Sequence, residues 1–512
     1  MPFKTINVSN IIEEEKWYKV KYIKCDFPEL KSSNFKENLI LPHANQFMCN
    51  DIKIIPGINN NESPKLLHLN GMDLWWKYDT SYNTPNIYLS FNMILQNTNS
   101  TLKNKIMTNL YFKCLHHIIN SDLYSINHAN YEASVNQTRN GFNVSINGYS
   151  EKFIDVLTFL LGSLVTVKQN INVNIFDNIK KIYQTALENN MYNPPYQICS
   201  QELTNNIVIN SYSVKETLEG LSKVKYEDLM TFNLFDTSRI VESLATSKRR
   251  LITGNSALYG LIQGNITYDN AMEIGTLVSQ LNISYNNYEL CDQLKEHSVN
   301  EFIQQVDNQN EANSCHRLAV KIGYGRPDLE PNCLEIGCLV RIIHEIISEQ
   351  YFDQLRTKEQ LGYVARSTVS AYGDSEQSFI TYDFIVQSPH KDTLYLKERT
   401  MRFIKEFRDF LQAETDQSIN NVIQAQILQL DKPFQNLDGA VAYNFSVIAS
   451  YCGNFNLRNE KKEYMKTVTK QKLLDFYDHY FSLNEGSYWS MNLEGNKVPV
   501  MDSTVINIEK ME

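Results

Sequence analysis

The sequence predicts an α+β fold: two homologous domains, each an antiparallel-dominated sheet packed by helices, behind an extended N-terminal arm. Three observations predict it. Short stretches of strict apolar–polar alternation are followed by long stretches of helical periodicity. Turn signals at Arg139-Asn140-Gly141 and Gly373-Asp374 sit between pairs of strands. The same order of elements then recurs at an offset of roughly 230 residues, which marks a duplicated unit rather than a solenoid repeat.

In chain order, residues 1–63 are polar, carry the acidic run Glu13-Glu14-Glu15, and show few periodic apolar positions. They read as an arm or linker of low intrinsic structure, with the Trp17-Tyr18 cluster as an anchor for a neighbouring domain. The first domain is placed at 64–285. Asn86 to Ile94 alternates as a strand, Leu102 to Ile119 is a long apolar helix, and Ser134 to Tyr149 reads as two strands. Helices follow over Glu151 to Val167 and Phe176 to Met191, the latter stopped at Asn193-Pro194-Pro195 because proline disfavours helical backbone in the residue before it.

The second domain is placed at 286–512 and repeats the order. Arg317 to Tyr324 is a strand, Leu334 to Leu361 a helix, Val364 to Gln387 two strands, and Thr393 to Leu411 a helix. A further amphipathic helix carries Ile419, Val422, Ile423, Ile427 and Leu430 on one face, capped by Thr415 or Asp416 and closed at Lys432-Pro433. A last helix (Gln471 to Phe481) and a strand (Tyr488 to Leu493) complete it.

Composition narrows the function classes. The chain has 512 residues, 42% of them hydrophobic and 21% charged, as expected of a globular protein with a large core. Its net charge of -10 and lack of a basic block argue against nucleic acid or anionic membrane as partners. There is no run of 18 apolar residues and no apolar signal segment behind Met1, so a cytoplasmic location is expected. Nine cysteines without a paired framework favour reduced, buried thiols.

The stretch Gln350 to Tyr363 is where generic globular sequence stops. Leu355 and Leu361 continue the helical spacing of Ile342, Ile343, Ile346 and Ile347, and Gly362 follows as a helix C-cap would. Arg356 then lies one to two turns before Tyr363, and both can face one cleft. A guanidinium offers five fixed donors, and a phenol can donate to a carbonyl oxygen that gains charge. Read from the residues alone, Arg356 is a solvated helix residue and Tyr363 a core residue at a strand start.

The run Leu355-Arg-Thr-Lys-Glu-Gln-Leu-Gly-Tyr363 closely resembles the signature of the C-terminal half of the insulin-degrading-enzyme (pitrilysin, or insulinase) family of metallopeptidases. The resemblance covers about residues 15–495. Trp17-Tyr18, Tyr22, Leu41-Pro42, Asn45, Phe47 and Pro56 resemble the end of the family's second domain and the segment joining its halves, and Gly264-Asn-Ile-Thr267 a short strand-end motif. On this resemblance the chain begins near the middle of a full-length member, residues 64–285 match the third domain and 286–512 the fourth. Arg356 and Tyr363 are then implied to hydrogen-bond substrate backbone beside a zinc site. Leu430-Asp-Lys-Pro433 resembles another family motif, where further lysines bind polyanions; here Phe434-Gln435 follows instead.

The family's zinc motif, H-x-x-E-H, needs two histidines four residues apart on a helix. None of the ten histidines, 43, 68, 116, 117, 128, 297, 316, 344, 390 and 479, has another four residues on. His116-His117 occupies the helix corresponding to the zinc helix, but adjacent helical residues point about 100° apart, and no Glu stands as base. His344-Glu345 has Ser348 where the second ligand belongs. Cys315-His316 are strand neighbours on opposite faces, G-x-S-x-G and phosphate-binding glycine loops are absent, and Asp353 with Glu359 reads as a solvated acidic face.

The resemblance and the missing motif together imply the substrate-chamber half of a split zinc peptidase. It would bind peptide through Arg356 and Tyr363, hold no metal itself, and be inactive without a separate N-terminal catalytic-half chain that supplies zinc. The alternative is a catalytically silent peptide-binding or scaffold homologue, or a truncated relic.

Overall fold

In the computed structural model the described residues are 8–25, 44–56, 62–67, 69, 72–79, 81–95, 98–235, 258–281, 294–295, 300–325, 330–372, 379–451 and 453–496. Leu41-Pro42, His43, His68, His297, the Gly373-Asp374 turn and the 285/286 domain boundary lie outside them.

The arm, residues 1–46, forms a compact unit of its own. It is more structured than its polar composition suggests: β1 (Val8–Glu14) pairs antiparallel with β2 (Lys21–Cys25). The Glu15 carboxylate accepts from the backbone N–H groups of Trp17 and Tyr18 at 2.6–2.9 Å, and Lys19 takes a left-handed φ of 58° to close the turn. Turn chemistry therefore makes a hairpin where apolar periodicity is weak. The rings of Trp17 and Tyr18 are exposed.

Residues 47–512 form the second unit, built on two sheets. The first contains β3 (Lys65–Leu66), β4 (Asp73–Tyr78), β5 (Asn86–Ile94), β6 (Glu132–Thr138), β7 (Gly141–Tyr149) and β8 (Leu258–Gly264), in the spatial order β3-β4-β8-β5-β7-β6. The second contains β9 (Glu301–Gln305), β10 (Ser314–Tyr324), β11 (Val364–Tyr372), β12 (Phe379–Ser388) and β13 (Tyr488–Glu494), in the order β11-β12-β10-β13-β9. Apart from β3, the two orders superimpose strand for strand. In each, one pair is parallel (β4 with β8, β9 with β13) and the rest are antiparallel. The duplicated α+β unit is thus present in the topology itself.

Helices pack on both faces of the sheets. In the first half these are α1 (Leu102–His128), α2 (Phe153–Thr166) and α3 (Val173–Glu188), then α4 (Pro195–Ile207), α5 (Val214–Lys223), α6 (Tyr226–Thr231) and α7 (Tyr268–Ser279). The second half has α8 (Cys333–Phe352), α9 (Thr393–Ala413), α10 (Asp416–Asp431), α11 (Leu437–Tyr451), α12 (Leu457–Met465) and α13 (Lys470–Tyr480). Thr101, Asn172, Thr267, Asp392, Thr415 and Thr469 each accept a backbone N–H at a helix start, so capping residues set these boundaries. Pro195 does not simply end a helix. It begins α4, where its missing N–H costs nothing.

Two helices cross over between the halves. Cys199, Leu203 and Ile207 of α4 pack on the second sheet against Cys315, Ala319, Met491 and Leu493. Leu437, Val441 and Ile448 of α11 pack on Tyr259 and Leu261 of the first sheet. The main cores lie on the opposite face of each sheet, against α1 and α8. Six described cysteines are thiols outside any disulfide, five of them buried. Among the described residues no single helix is long and apolar enough to cross a membrane.

Candidate functional site

Arg356 and Tyr363 lie at the end of α8, where that helix widens before handing the chain to the edge strand β11. The expected continuous helix to Leu361 does not form. After Phe352 the backbone makes one π-helical turn, Asp353–Lys358, and then leaves the helix. Glu359 N–H reaches back five residues to the Gln354 carbonyl and Leu361 N–H six residues to Leu355, each at 3.0 Å. The residue that reverses the chain is Gln360, with φ 52°, and not Gly362 as its cap-like position suggests. Gly362 is required for another reason: a Cβ there would stand 2.0 Å from the Gln387 carbonyl oxygen of β12.

The turn is anchored on its inner side and open on its outer side. Tyr351, Leu355 and Leu361 are buried, and the Tyr351 ring sits edge-on to Phe384 and Phe403 at 5.1 and 5.0 Å. Phe352, Arg356 and Tyr363 face outward. The Arg356 guanidinium carbon lies 4.8 Å from the Phe352 ring centre and 4.5 Å from that of Tyr363, so two aromatic faces hold the cation. Neither the Arg356 guanidinium nor the Tyr363 hydroxyl has a hydrogen-bond partner among the described residues. The structure therefore brings the two expected site residues into contact, with their donors free.

The duplicated fold contains its own comparison. Tyr131 precedes β6 as Tyr363 precedes β11, and it is fully buried, donating 2.7 Å to the Tyr149 carbonyl. Tyr363 is 81% exposed. The core role that a strand-start tyrosine can play is filled in the first half and vacated in the second.

Glu359 is the site residue that the sequence concealed. It was expected on a solvated face with Asp353, and Asp353 does make an exposed pair with Lys358 at 2.8 Å. Glu359 instead accepts from Arg399 Nε at 2.9 Å to both oxygens and from Nη2 at 2.6 Å, with Gln354 Nε2 at 2.6 Å. Burial alone would raise this carboxyl, but the hydrogen bonds and charge of Arg399 outweigh it and hold Glu359 below the usual range. The pair ties the Arg356 turn to α9. Its partners are 40 residues apart, and only a hint of the match, Arg399 on an otherwise apolar stripe of α9, is visible in the chain.

The remaining candidates do other things. The His116 ring nitrogen Nε2 is 2.5 Å from the Val135 carbonyl oxygen, and no group of three or more His, Cys, Asp or Glu able to hold a metal occurs among the described residues, so this donor set does not fit a zinc site. His344 meets the Tyr382 hydroxyl at 3.0 Å. Cys315 and His316 point to opposite faces of β10, the thiol toward α4 and the ring toward Asn492. Beyond Lys432-Pro433, the Arg458 guanidinium packs on the adjoining rings of Phe434 and Tyr443, 4.5 and 5.2 Å from their centres.

Comparison with known proteins follows the same division into halves. The family profile "Middle or third domain of peptidase_M16" matches residues 4–220, and "PQQ synthase PqqF-like, C-terminal lobe domain 4" matches residues 342–444. These matches support a relationship to the pitrilysin/insulinase family of peptidases. The residues at hand correspond to its C-terminal half. The A-factor-processing enzyme of Saccharomyces cerevisiae is 27% identical over 501 residues, covering 94% of this chain and 45% of that protein. Human insulin-degrading enzyme is 27% identical over 486 residues, covering 92% and 45%. The chain thus spans about half the length of these insulinase relatives. The crystal structure of pitrilysin matches 96% of this chain and 50% of its own, with a TM-score of 0.76 at 16% identity, which places the fold.

Proposed function

We propose that this chain is the substrate-facing half of an insulinase-type peptidase chamber, completed by a zinc-bearing N-terminal half. One observation carries the reading. At a braced turn the hydroxyl of Tyr363 and the guanidinium of Arg356 are presented together to solvent, where the duplicate position buries its tyrosine. The names of the relatives, an insulin-degrading enzyme and an A-factor-processing enzyme, suggest peptide substrates. In this reading the chain is cytoplasmic, binds extended peptide and holds no cofactor, and neither nucleic acid nor membrane is its partner. Activation of water belongs to the other half.

The residues act by binding and charge placement. A peptide carbonyl oxygen beside Tyr363 accepts from its hydroxyl, and that hydrogen bond strengthens as the carbonyl gains negative charge under attack. Arg356, flanked by two rings, donates to the neighbouring peptide backbone, which both holds the substrate and aligns its carbonyl for attack, so that its loss is felt in KM and in turnover. The absence of any histidine pair at the four-residue spacing favours one other reading, a peptide-binding homologue that never cuts.

Reconstitution separates them. Combined with a zinc-loaded family N-terminal half, the chain is expected to support peptide hydrolysis, and alone to show none above a heat-treated control. In the complex, Tyr363→Phe should lower turnover by roughly 10²-fold with little change in KM. Arg356→Ala should impair both, and Thr357→Ala, turned about 100° away on the helix, neither. Peptide binding without turnover in every pairing supports the silent reading, and wild-type turnover by Tyr363→Phe refutes the role given to its hydroxyl.

A further inference from the structure

The turn that carries Arg356 and Tyr363 also walls a polar cleft of about 570 Å³. Gln354, Glu359 and Leu361 line it from the turn, and Arg399, Arg402 and Lys391 from α9 and the residues just before it. Glu406 adds a second carboxylate to the lining. Three cations therefore meet two acids.

The acids are already engaged. Glu359 is taken up by Nε and Nη2 of Arg399, and Glu406 lies 3.3 Å from the same Nη2. Arg399 is only 8% exposed, and its Nη1 has no hydrogen-bond partner among the described residues. A buried guanidinium N–H left without an acceptor carries a desolvation cost that a bound oxygen would relieve. Lys391 and Arg402, both exposed at the rim, have no carboxylate within ion-pair distance among the described residues; Lys391 only stands over the Tyr395 ring at 4.5 Å. The buried unsatisfied group of this cleft, Arg399 Nη1, is a positive donor, and the two rim cations add to it.

We propose that the cleft is an oxyanion site that takes a carboxylate of the bound peptide, its C-terminus or an acidic side chain, through Arg399 Nη1, Arg402 and Lys391. The inference rests on the peptide-binding reading above and adds a substrate class to it: peptides carrying a carboxylate near the segment held by Arg356 and Tyr363. A planar carboxylate matches guanidinium donors in two-point geometry, and the two flexible rim cations close over it. Inorganic phosphate presents the same oxygens, so the source of the anion has to be separated by experiment.

The measurement uses the whole chain without any catalytic half, so its result is independent of the turnover test. A short fluorescent peptide with one free C-terminal carboxylate, its C-terminal amide, and inorganic phosphate are titrated against the protein at low salt. The acid is expected to bind about tenfold tighter than the amide, with the difference shrinking as salt is raised. Lys391→Ala and Arg402→Ala, at exposed positions, should each weaken binding of the acid roughly fivefold and leave the amide unchanged. Arg399 is left in place because it also braces Glu359. Equal binding of acid and amide, failure of the acid to bind, or indifference to both substitutions overturns the proposal. Phosphate binding without preference for the peptide acid overturns the peptide assignment in favour of a free anion.

Discussion

His316 shows how a buried histidine can serve the fold. Its ring is fully buried between β10 and the α9 side of the sheet, with Nδ1 2.9 Å from the Asn492 oxygen and Nε2 without a partner among the described residues. Burial pushes its pKa down to about 4; the Asn492 contact and Glu301 oppose this weakly, and Lys397 adds to it. In the unfolded chain the ring takes a proton near the ordinary value of 6.5. Between those two pH values the unfolded state binds a proton that the folded state refuses. The contribution is therefore fully present above about pH 6.5 and is lost as pH falls toward 4, amounting to about 3 kcal/mol across the interval. Chemical denaturation at several pH values should show that slope, and His316→Gln should remove it. An unchanged slope in the variant would mean that the ring titrates normally.

At the scale of elements, the helix-to-strand turn is the part that the site depends on. Gly362→Ala would place a methyl carbon 2.0 Å from the Gln387 carbonyl oxygen, a contact only backbone movement can relieve. A cost of about 1–3 kcal/mol is expected, with Arg356 and Tyr363 displaced together. A lowered Tm plus loss of peptide binding checks it, whereas Thr357→Ala should leave both unchanged. Alternation and periodicity made β5 legible residue for residue and α10 with its Thr415 cap, because those signals are local. The turn was only half legible. Gln360 adopts a left-handed φ with nothing in its side chain to announce it, and Glu359 is held by a residue 40 positions on. Short edge strands such as β9, with the polar sequence Glu301-Phe-Ile-Gln-Gln305, carry too few alternating positions to be read at all. Arg356 and Tyr363 were found through a motif, and their contact through the aromatic pair that flanks the guanidinium could not be.

For the whole unit of residues 47–512, the decisive feature is the reciprocal exchange of helices. An apolar stripe on α4 or α11 says that a helix is buried but not which sheet buries it. Leu203 and Ile207, contributed by the first half, complete the core of the second sheet, and Val441 and Ile448 from the second half cover Leu261 of the first. The exchange is polar as well: Asn444 of α11 donates 2.8 Å to Gln263 of β8, whose amide donates 2.8 Å to the buried Asp79. Each half alone would expose an apolar sheet face and leave that chain of buried groups unsatisfied. The two sheets should therefore unfold in one cooperative transition despite their separate cores. Fragments 47–285 and 286–512 are expected to be insoluble or molten when expressed singly and to recover structure only when coexpressed. Leu203→Ala, in the first half, should cost about 2–5 kcal/mol and lower hydrogen-exchange protection in β10 and β13 of the second. Calorimetry of the intact chain decides the matter: two resolved transitions, with Leu203→Ala shifting only one, would show that the halves fold independently and that the exchanged helices merely dock.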